Sequence, residues 1–405
     1  MPPKNPNDPI TQRLNAINEW VYGAKRAGYY TFHVLVEDQT QGGWVTVQGR
    51  RMLMMATYSY AGLLGHPRLR EAACRAAERY GTGGHGSRTL SGTLPIHLEL
   101  EEAVAAFKNT EAAVVFPTGY VTNVGAIPAL VGRGDYVISD KYNHASLVDG
   151  ALLSGAKLLR YRHNDLGMLE RRLRSVPEGA GKLIVADAVF SMDGDILDLP
   201  RVVELARKYD AWLMVDEAHS VGVLGETGRG IEEHFHMPGV IDIKMGTLSK
   251  AIPGMGGYIA AAEWIVHGIR HLARGYMFTG AMSPVMAAVG LEGLRLLQEE
   301  PWRVEKLRAN TRRFLDGLRE RGFDILQAET PVVPIMVRDA VRAVRLTKAV
   351  MRRGLYLLPV LAPAVPDGQE RLRATVTAAH EPSDVDYALD VLTDAAHEVG
   401  LPLKP

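Results

Sequence analysis

A chain of 405 residues with 46 basic and 46 acidic side chains has no charge excess with which to hold nucleic acid or an anionic membrane surface. At 47% hydrophobic and 23% charged it has the composition of a soluble globular protein, long enough for one large domain and a smaller one. One cysteine, Cys74, excludes intramolecular disulfides and points to a reducing compartment, the cytoplasm.

The Pro/Asn-rich start, residues 1–8, lacks the apolar core of a signal peptide, and no apolar run reaches membrane-spanning length. Ile10, Leu14, Ile17 and Val21 predict an amphipathic helix over 10–27. Trp44–Val47 and Met52–Ala56 predict a hairpin around Gln48-Gly49-Arg50. Pro67 opens a helix to about Tyr80. From about 95, apolar runs alternate with helical patterns: Ala112–Phe116, Tyr136–Ser139, Lys157–Tyr161, Leu183–Asp187, Trp212–Asp216, Ile241–Met245 and Gly257–Ala260. Continuous apolar strands separated by helices predict an α/β fold with a mostly parallel sheet covered on both faces. Beyond 300, a charged helix (302–321), short strands (332–337, 355–358, 371–377) and helices (339–353, 382–398) predict a smaller α+β unit. The division expected is an N-terminal helix and hairpin (1–60), a large domain (61–300) and a C-terminal α+β domain (301–405).

Chemistry concentrates at the strand ends. Gly246-Thr-Leu-Ser-Lys250-Ala-Ile-Pro-Gly254 sets one lysine among small residues, which suits an amine forming an imine with a bulky aldehyde cofactor. Upstream, Asp216 ends the strand Leu213-Met-Val215, where a carboxylate suits the partner of a pyridinium nitrogen. Together they point to pyridoxal 5′-phosphate, whose ring is an electron sink. His219 suits a contact to the ring's phenolic oxygen, and His144 in Asn143-His-Ala-Ser146 a ring stacked on the pyridine face. Phe116-Pro-Thr118-Gly119-Tyr120 is a strand-to-helix junction whose free N–H groups suit a phosphate. Gly81-Thr-Gly-Gly-His-Gly86 matches a dinucleotide fingerprint in letters only. It follows a helix and opens none, so it reads as a flexible cavity wall with Ser87 and Arg88 facing inward. Arg371 and Arg373 fall on one face of a strand, and one of them suits a bidentate grip on a substrate carboxylate. No metal site is expected: Asp193-Gly-Asp195 lacks further ligands at calcium-loop spacing, and His234-Phe-His236 lacks companions.

These motifs resemble one family, the α-oxoamine synthases, which are fold-type-I pyridoxal-phosphate enzymes. The resemblance spans about 28–398. It is carried by Ser87-Arg-Thr-Leu-Ser-Gly-Thr93 with His97 and Leu100-Glu101, Asn143-His-Ala-Ser, Ser191-Met-Asp-Gly-Asp, Asp216-Glu-Ala-His-Ser-Val-Gly-Val-Leu-Gly with Gly228-Arg-Gly, Gly246-Thr-Leu-Ser-Lys, and Arg371-Leu-Arg-Ala-Thr-Val-Thr-Ala-Ala-His380. It implies a decarboxylative condensation of a small amino acid with an acyl thioester, on coenzyme A or an acyl-carrier protein. Lys250 then resembles the Schiff-base lysine and general base, Asp216 the pyridinium partner, His144 the stacking ring that also assists the acyl carbonyl, and His219 and Ser191 the phenolic-oxygen contacts. Thr118, Gly119, Tyr120 and Thr247 resemble cofactor anchors, and Arg373 rather than Arg371 the carboxylate-binding arginine. A homodimer with shared sites is implied too, with Thr279 reaching the neighbour's phosphate.

Departures touch the substrate rather than the cofactor. Tyr58-Ser59-Tyr60-Ala61-Gly62 replaces a polar Asn-Asp-Tyr-Leu-Gly type of entrance, so Ser59 joins Ser87 as an expected substrate contact. Pro363-Ala364-Val365-Pro366 lacks the hydroxyl common in the biotin branch. Glycine, alanine and serine all stay open as the amino acid. Rival readings are an aminotransferase or β-eliminating enzyme of the same fold, a non-catalytic partner subunit, which should lack Lys250, and a pyridoxal-binding regulator, for whose DNA-binding region residues 1–28 are too short.

Overall fold

The computed structural model describes residues 7–28, 30–362 and 364–404. The Pro/Asn-rich start lies outside the described residues over 1–6, as does Pro363 of the Pro363–Pro366 stretch. Among the described residues fourteen strands form three sheets. A meander of β1 (Val36–Gln41), β2 (Trp44–Val47) and β3 (Arg50–Met54) opens the chain. The large sheet follows: β4 (Ala112–Phe116), β5 (Tyr136–Asp140), β6 (Lys157–Tyr161), β7 (Lys182–Asp187), β8 (Trp212–Asp216), β9 (Ile243–Ser249) and β10 (Pro253–Ala261), in the spatial order β4-β10-β9-β8-β7-β5-β6. Within it β10 alone runs against its neighbours; the rest are parallel. The C-terminal part holds β11 (Val332–Met336), β12 (Leu355–Tyr356), β13 (Pro359–Val360) and β14 (Arg371–Thr375).

Alternation along each strand decides which layer a side chain joins. Val115, Ile184, Leu213 and Val215 pack with Leu100, Val104, Leu199 and Val202 on one face. Their neighbours Val114, Leu183, Val185 and Met214 pack with Ile127, Leu147, Ile265 and Ile269 on the other. Each such side chain contributes about 1.5–3 kcal/mol by leaving water. Both faces are buried, as the continuous apolar runs predict. The helices between strands are capped by their own sequence: Asp165 and Asp198 accept the N–H groups of Met168 and Arg201 at 2.7 and 3.3 Å.

The C-terminal unit is less separate than its place in the chain suggests. β12 leaves its own neighbours and pairs in parallel with β3. Leu53 and Met55 accordingly share a core with Phe314, Val333, Leu346 and Leu372. β11, β14 and β13 form an antiparallel sheet that carries Arg371 and Arg373.

Three local expectations need correcting. The strand expected over 241–245 is β9, which runs on to Ser249 and so delivers Lys250 directly. The hairpin is a three-stranded meander, because polar β1 (Val-Glu-Asp-Gln-Thr-Gln) gives no apolar alternation to read. The helix Pro9–Arg26 forms, but Ile10, Leu14 and Ile17 stay more than half exposed and no residue of it is buried. Among the described residues no helix is long and apolar enough to cross a membrane.

Candidate active site

The parallel strands end on one side of the sheet, and the chemistry-bearing residues leave from those ends. Thr118 follows β4, His144 follows β5, Asp187 and Asp216 close β7 and β8, and Lys250 follows β9. They line a cavity of about 330 Å³ together with Gly119, Tyr120, Ser191, His219, Thr247 and, from β14, Arg373.

Lys250 Nζ stands 2.6 Å from His219 Nε2, and His219 Nδ1 stands 2.6 Å from the Tyr60 hydroxyl. Burial, countered by Asp216 and Asp187 and aided by Arg373, brings the Lys250 amine down to about 8. Burial, then the nearby Lys250 and Arg373 charges, holds His219 well below the ordinary imidazole range, so it is neutral. A neutral imidazole donates from one nitrogen and accepts at the other. Arg373 Nη2 points at the Tyr60 oxygen from 3.5 Å, which leaves the tyrosine proton for His219 Nδ1. His219 then carries its own proton on Nε2, toward Lys250.

Asp216 accepts from Ala218 N at 2.9 Å and from Asn123 Nδ2 at 2.7 Å. Asn123 also donates to Ser146 Oγ at 2.9 Å, and its own Oδ1 is buried with no partner among the described residues. His144 is the N-cap of the helix Ala145–Ser154; its Nδ1 lies 2.7 Å from Ser146 Oγ. Burial lowers His144 from the ordinary imidazole range, with Asp216 opposing. Its backbone N–H donates to Asp187 Oδ2 at 2.8 Å. Asp187 sits directly across from Asp216 in the β7–β8 ladder. Burial first, then the Asp216 charge, pushes the Asp187 carboxyl well above its ordinary range. Sequence reasoning missed Asp187, Asn123 and Tyr60. The signal for Asp187 was available: it ends a buried strand as Asp216 does.

The helix Gly119–Leu130 begins at the cavity with Thr118 as N-cap, accepting from Val121 N at 3.2 Å. A Cβ on Gly119 would lie 3.0 Å from Thr247 Oγ1, so the glycine lets the start of this helix approach Thr247 closely. Thr247 Oγ1 is fixed by Gly256 O at 2.9 Å and Ser249 Oγ at 2.8 Å. The Tyr120 hydroxyl bonds Asp149.

Arg373 Nε donates to Ser191 O at 2.6 Å, leaving part of its guanidinium toward the cavity. Arg371, on the same face, instead pairs with Asp193 and donates to Met192 O at 3.0 Å. Arg373 and Lys250 both flank the Tyr58 ring, at 5.3 and 5.6 Å from its centroid. Three expected residues stand elsewhere. Ser59 lines a neighbouring cavity of about 310 Å³ that shares Tyr58. Ser87 bonds Thr89 Oγ1 at 3.0 Å and does not line the site in this chain; Thr279 does not line it either. The expectation that Arg88 faces the cavity is overturned: it is a buried fork on Glu101, at 3.0 and 3.2 Å, because Glu101 offers the charge partner a buried guanidinium requires.

This donor set fits pyridoxal 5′-phosphate. An amine titrating near 8, a buried carboxylate, two neutral imidazoles and an open helix N-terminus meet in one cavity. The aminotransferase class I and II family matches the chain over residues 50–392. The 8-amino-7-oxononanoate synthase of Geobacter sulfurreducens is 45% identical over 365 residues, 89% of this chain and 93% of that protein. The serine palmitoyltransferase of Bacteroides ovatus is 41% identical over 368 residues, 91% of this chain and 93% of that one. A serine palmitoyltransferase from S. paucimobilis, solved with a bound PLP–myriocin aldimine, has the same fold at a TM-score of 0.94 and 32% identity, covering 98% of this chain and all of that one.

Proposed function

The chain belongs to the aminotransferase class I and II family, in its α-oxoamine synthase branch, and we propose that it joins a small amino acid to an acyl thioester with loss of carbon dioxide. One observation carries this reading: the Lys250 amine and the Arg373 guanidinium flank the same ring, Tyr58, and open on the same cavity. A carboxylate held by Arg373 brings the adjoining Cα–H within the reach of Lys250.

Pyridoxal 5′-phosphate, when bound, supplies the sink for the negative charge that develops at Cα. In this reading Thr118, Gly119, Tyr120 and Thr247 would hold its phosphate, Asp216 its ring nitrogen, and His219 and Ser191 its phenolic oxygen, while His144 would pack on the ring. Lys250 titrates near 8, so an appreciable share is free base at neutral pH and takes the Cα proton. The bond from Cα to the acyl carbon would form as the C–S bond breaks and the thiolate departs; the Cα–carboxylate bond would then break to release carbon dioxide, and the Lys250 ammonium would return its proton to Cα, giving an α-amino ketone. His144, itself neutral, assists at the acyl carbonyl as a hydrogen-bond donor.

The amino acid is glycine, alanine or serine, and the acyl group rides on coenzyme A or an acyl-carrier protein. Residues 61–300 bind the cofactor, while 1–60 and 301–405 supply Tyr58 and Arg373. We assign a homodimer in which Thr279 serves the neighbouring site, a reading supported by its place outside the cavity of its own chain. The exposed thiol of Cys74 supports a cytoplasmic location. The test is an assay of the purified chain with each small amino acid and a panel of acyl thioesters. Carbon dioxide and free thiol released in equal amounts support the reading; keto-acid formation without carbon dioxide would indicate transamination instead.

A further inference from the structure

Outside the lining of the cavity, His163 stands between two carboxylates. Its Nδ1 is 3.1 Å from Asp140 Oδ1 and its Nε2 is 2.9 Å from Asp195 Oδ2. The ring is held from both sides, stacked on Tyr142 at 4.6 Å and edge-on to Phe190 at 4.4 Å. Asn164 repeats the bridge, donating from N to Asp140 Oδ2 at 3.0 Å and from Nδ2 to Asp195 Oδ2 at 2.5 Å.

The two carboxylates belong to the two loops that present the site. Asp140 ends β5 and accepts from Tyr142 N at 2.8 Å, in the turn that leads to His144. Asp195 closes the loop from Phe190, through Phe190 N to Asp195 O at 3.1 Å and Gly194 N to Phe190 O at 2.8 Å. Gly194 has φ of +74°, and a Cβ there would collide with Val332 O, so this loop fits tightly against β11. That loop carries Ser191, whose carbonyl receives Arg373 Nε, and Asp193, which pairs with Arg371.

We propose that His163 is a positioning residue: by bridging Asp140 and Asp195 it locks the His144 turn to the Ser191 loop and so aims the Arg373 fork at the substrate carboxylate. The role rests on the condensation reading above. A metal site is the rival use of this cluster, since ligand atoms of His163, Asp193 and Asp195 lie within 4.8 Å of one another. Asp193 and Asp195 have no further ligands at calcium-loop spacing, but the fold brings His163 beside them. His163 is nevertheless engaged: both ring nitrogens face carboxylates, and Asp193 is neutralised by Arg371. Burial opposes a charge on His163, but Asp140 and then Asp195 outweigh it and raise the imidazole to about 10. A protonated ring has no lone pair for a metal.

The test uses the full chain loaded with pyridoxal phosphate, titrated spectrally with glycine, alanine and serine. His163→Gln removes the charge, and Asp195→Asn removes one end of the bridge with little change of shape. Both variants are expected to keep the visible band of the lysine-bound cofactor. Both should bind the preferred amino acid about 10- to 100-fold more weakly, as misplacement of a positioning group does. Adding Arg373→Met to His163→Gln should then cost much less than it does in the wild-type chain. Amino-acid affinity within about twofold of wild type in whichever variant folds, with only melting temperature reduced, would overturn the positioning role and leave the condensation reading intact. A wild-type chain that gave no spectral response to any small amino acid would overturn both.

Discussion

Lys250 Nζ and His219 Nε2 lie 2.6 Å apart, and the far nitrogen of His219 is tied to a buried tyrosine, Tyr60. The amine proposed as the base is therefore connected through an imidazole and a phenol to Arg373, the group proposed to hold the substrate's carboxylate. Burial, opposed by Arg373, raises the Tyr60 phenol, so it stays a neutral donor. Replacing Tyr60 by Phe leaves His219 Nδ1 buried without a partner, at about 1–3 kcal/mol of stability. It also frees His219 to accept at Nε2 from an ammonium. Tyr60→Phe should lower the melting temperature and move the Lys250 titration upward; a titration that stayed put would break the proposed hydrogen-bond order.

The Lys250 amine comes down from 10.5 to about 8, chiefly through burial. Its neutral form is the nucleophile, so cofactor uptake by the apoprotein should accelerate as pH rises through about 8 and then level off. A stopped-flow record of the growing visible band across pH checks this. Acceleration continuing toward 10.5 would mean that the buried site does not perturb the amine.

Arg371 and Arg373 share a strand face yet carry different work. Arg373→Met should raise the amino-acid KM about 10- to 100-fold, the worth of a charge-assisted hydrogen bond, while cofactor binding is retained. Arg371→Met should instead strand Asp193 and cost about 3–5 kcal/mol of stability, with a smaller effect on KM. Steady-state kinetics and thermal melts on the two variants separate the roles.

His163 makes a prediction about stability. Its imidazole rises from 6.5 to about 10 on folding, so its contribution is complete below pH 6.5 and is lost as pH climbs toward 10. The loss runs at up to about 1.4 kcal/mol per pH unit. Lys250, lowered on folding, works in the opposite direction between about 8 and 10.5, and so masks the slope there. The difference in unfolding free energy between the wild type and His163→Gln should therefore shrink steadily from pH 6.5 upward. A pH-independent difference would show that His163 carries no proton in the folded chain.

The sheet was legible because its strands are continuous apolar runs; Ala112–Phe116 and Lys157–Tyr161 match the structure end to end. That Lys250, Asp216, His144 and His219 line one cavity was legible because each stands at or just after the end of a strand, in an unusual local sequence. What failed needed distances along the folded chain. Asn123 meets Asp216, Tyr60 meets His219, and His163 meets Asp195, and nothing in their local sequence announces those partners. The polar strand β1 and the pairing of β12 with β3 escaped for the same reason: their partners, not their own patterns, define them.

The most direct measurement is the site of covalent attachment. Apoprotein incubated with pyridoxal phosphate, reduced with borohydride and mapped by mass spectrometry should carry the pyridoxyl group on the peptide holding Lys250, and Lys250→Ala should lose both that label and the visible band. A label on another lysine, or none at all, would contradict the account.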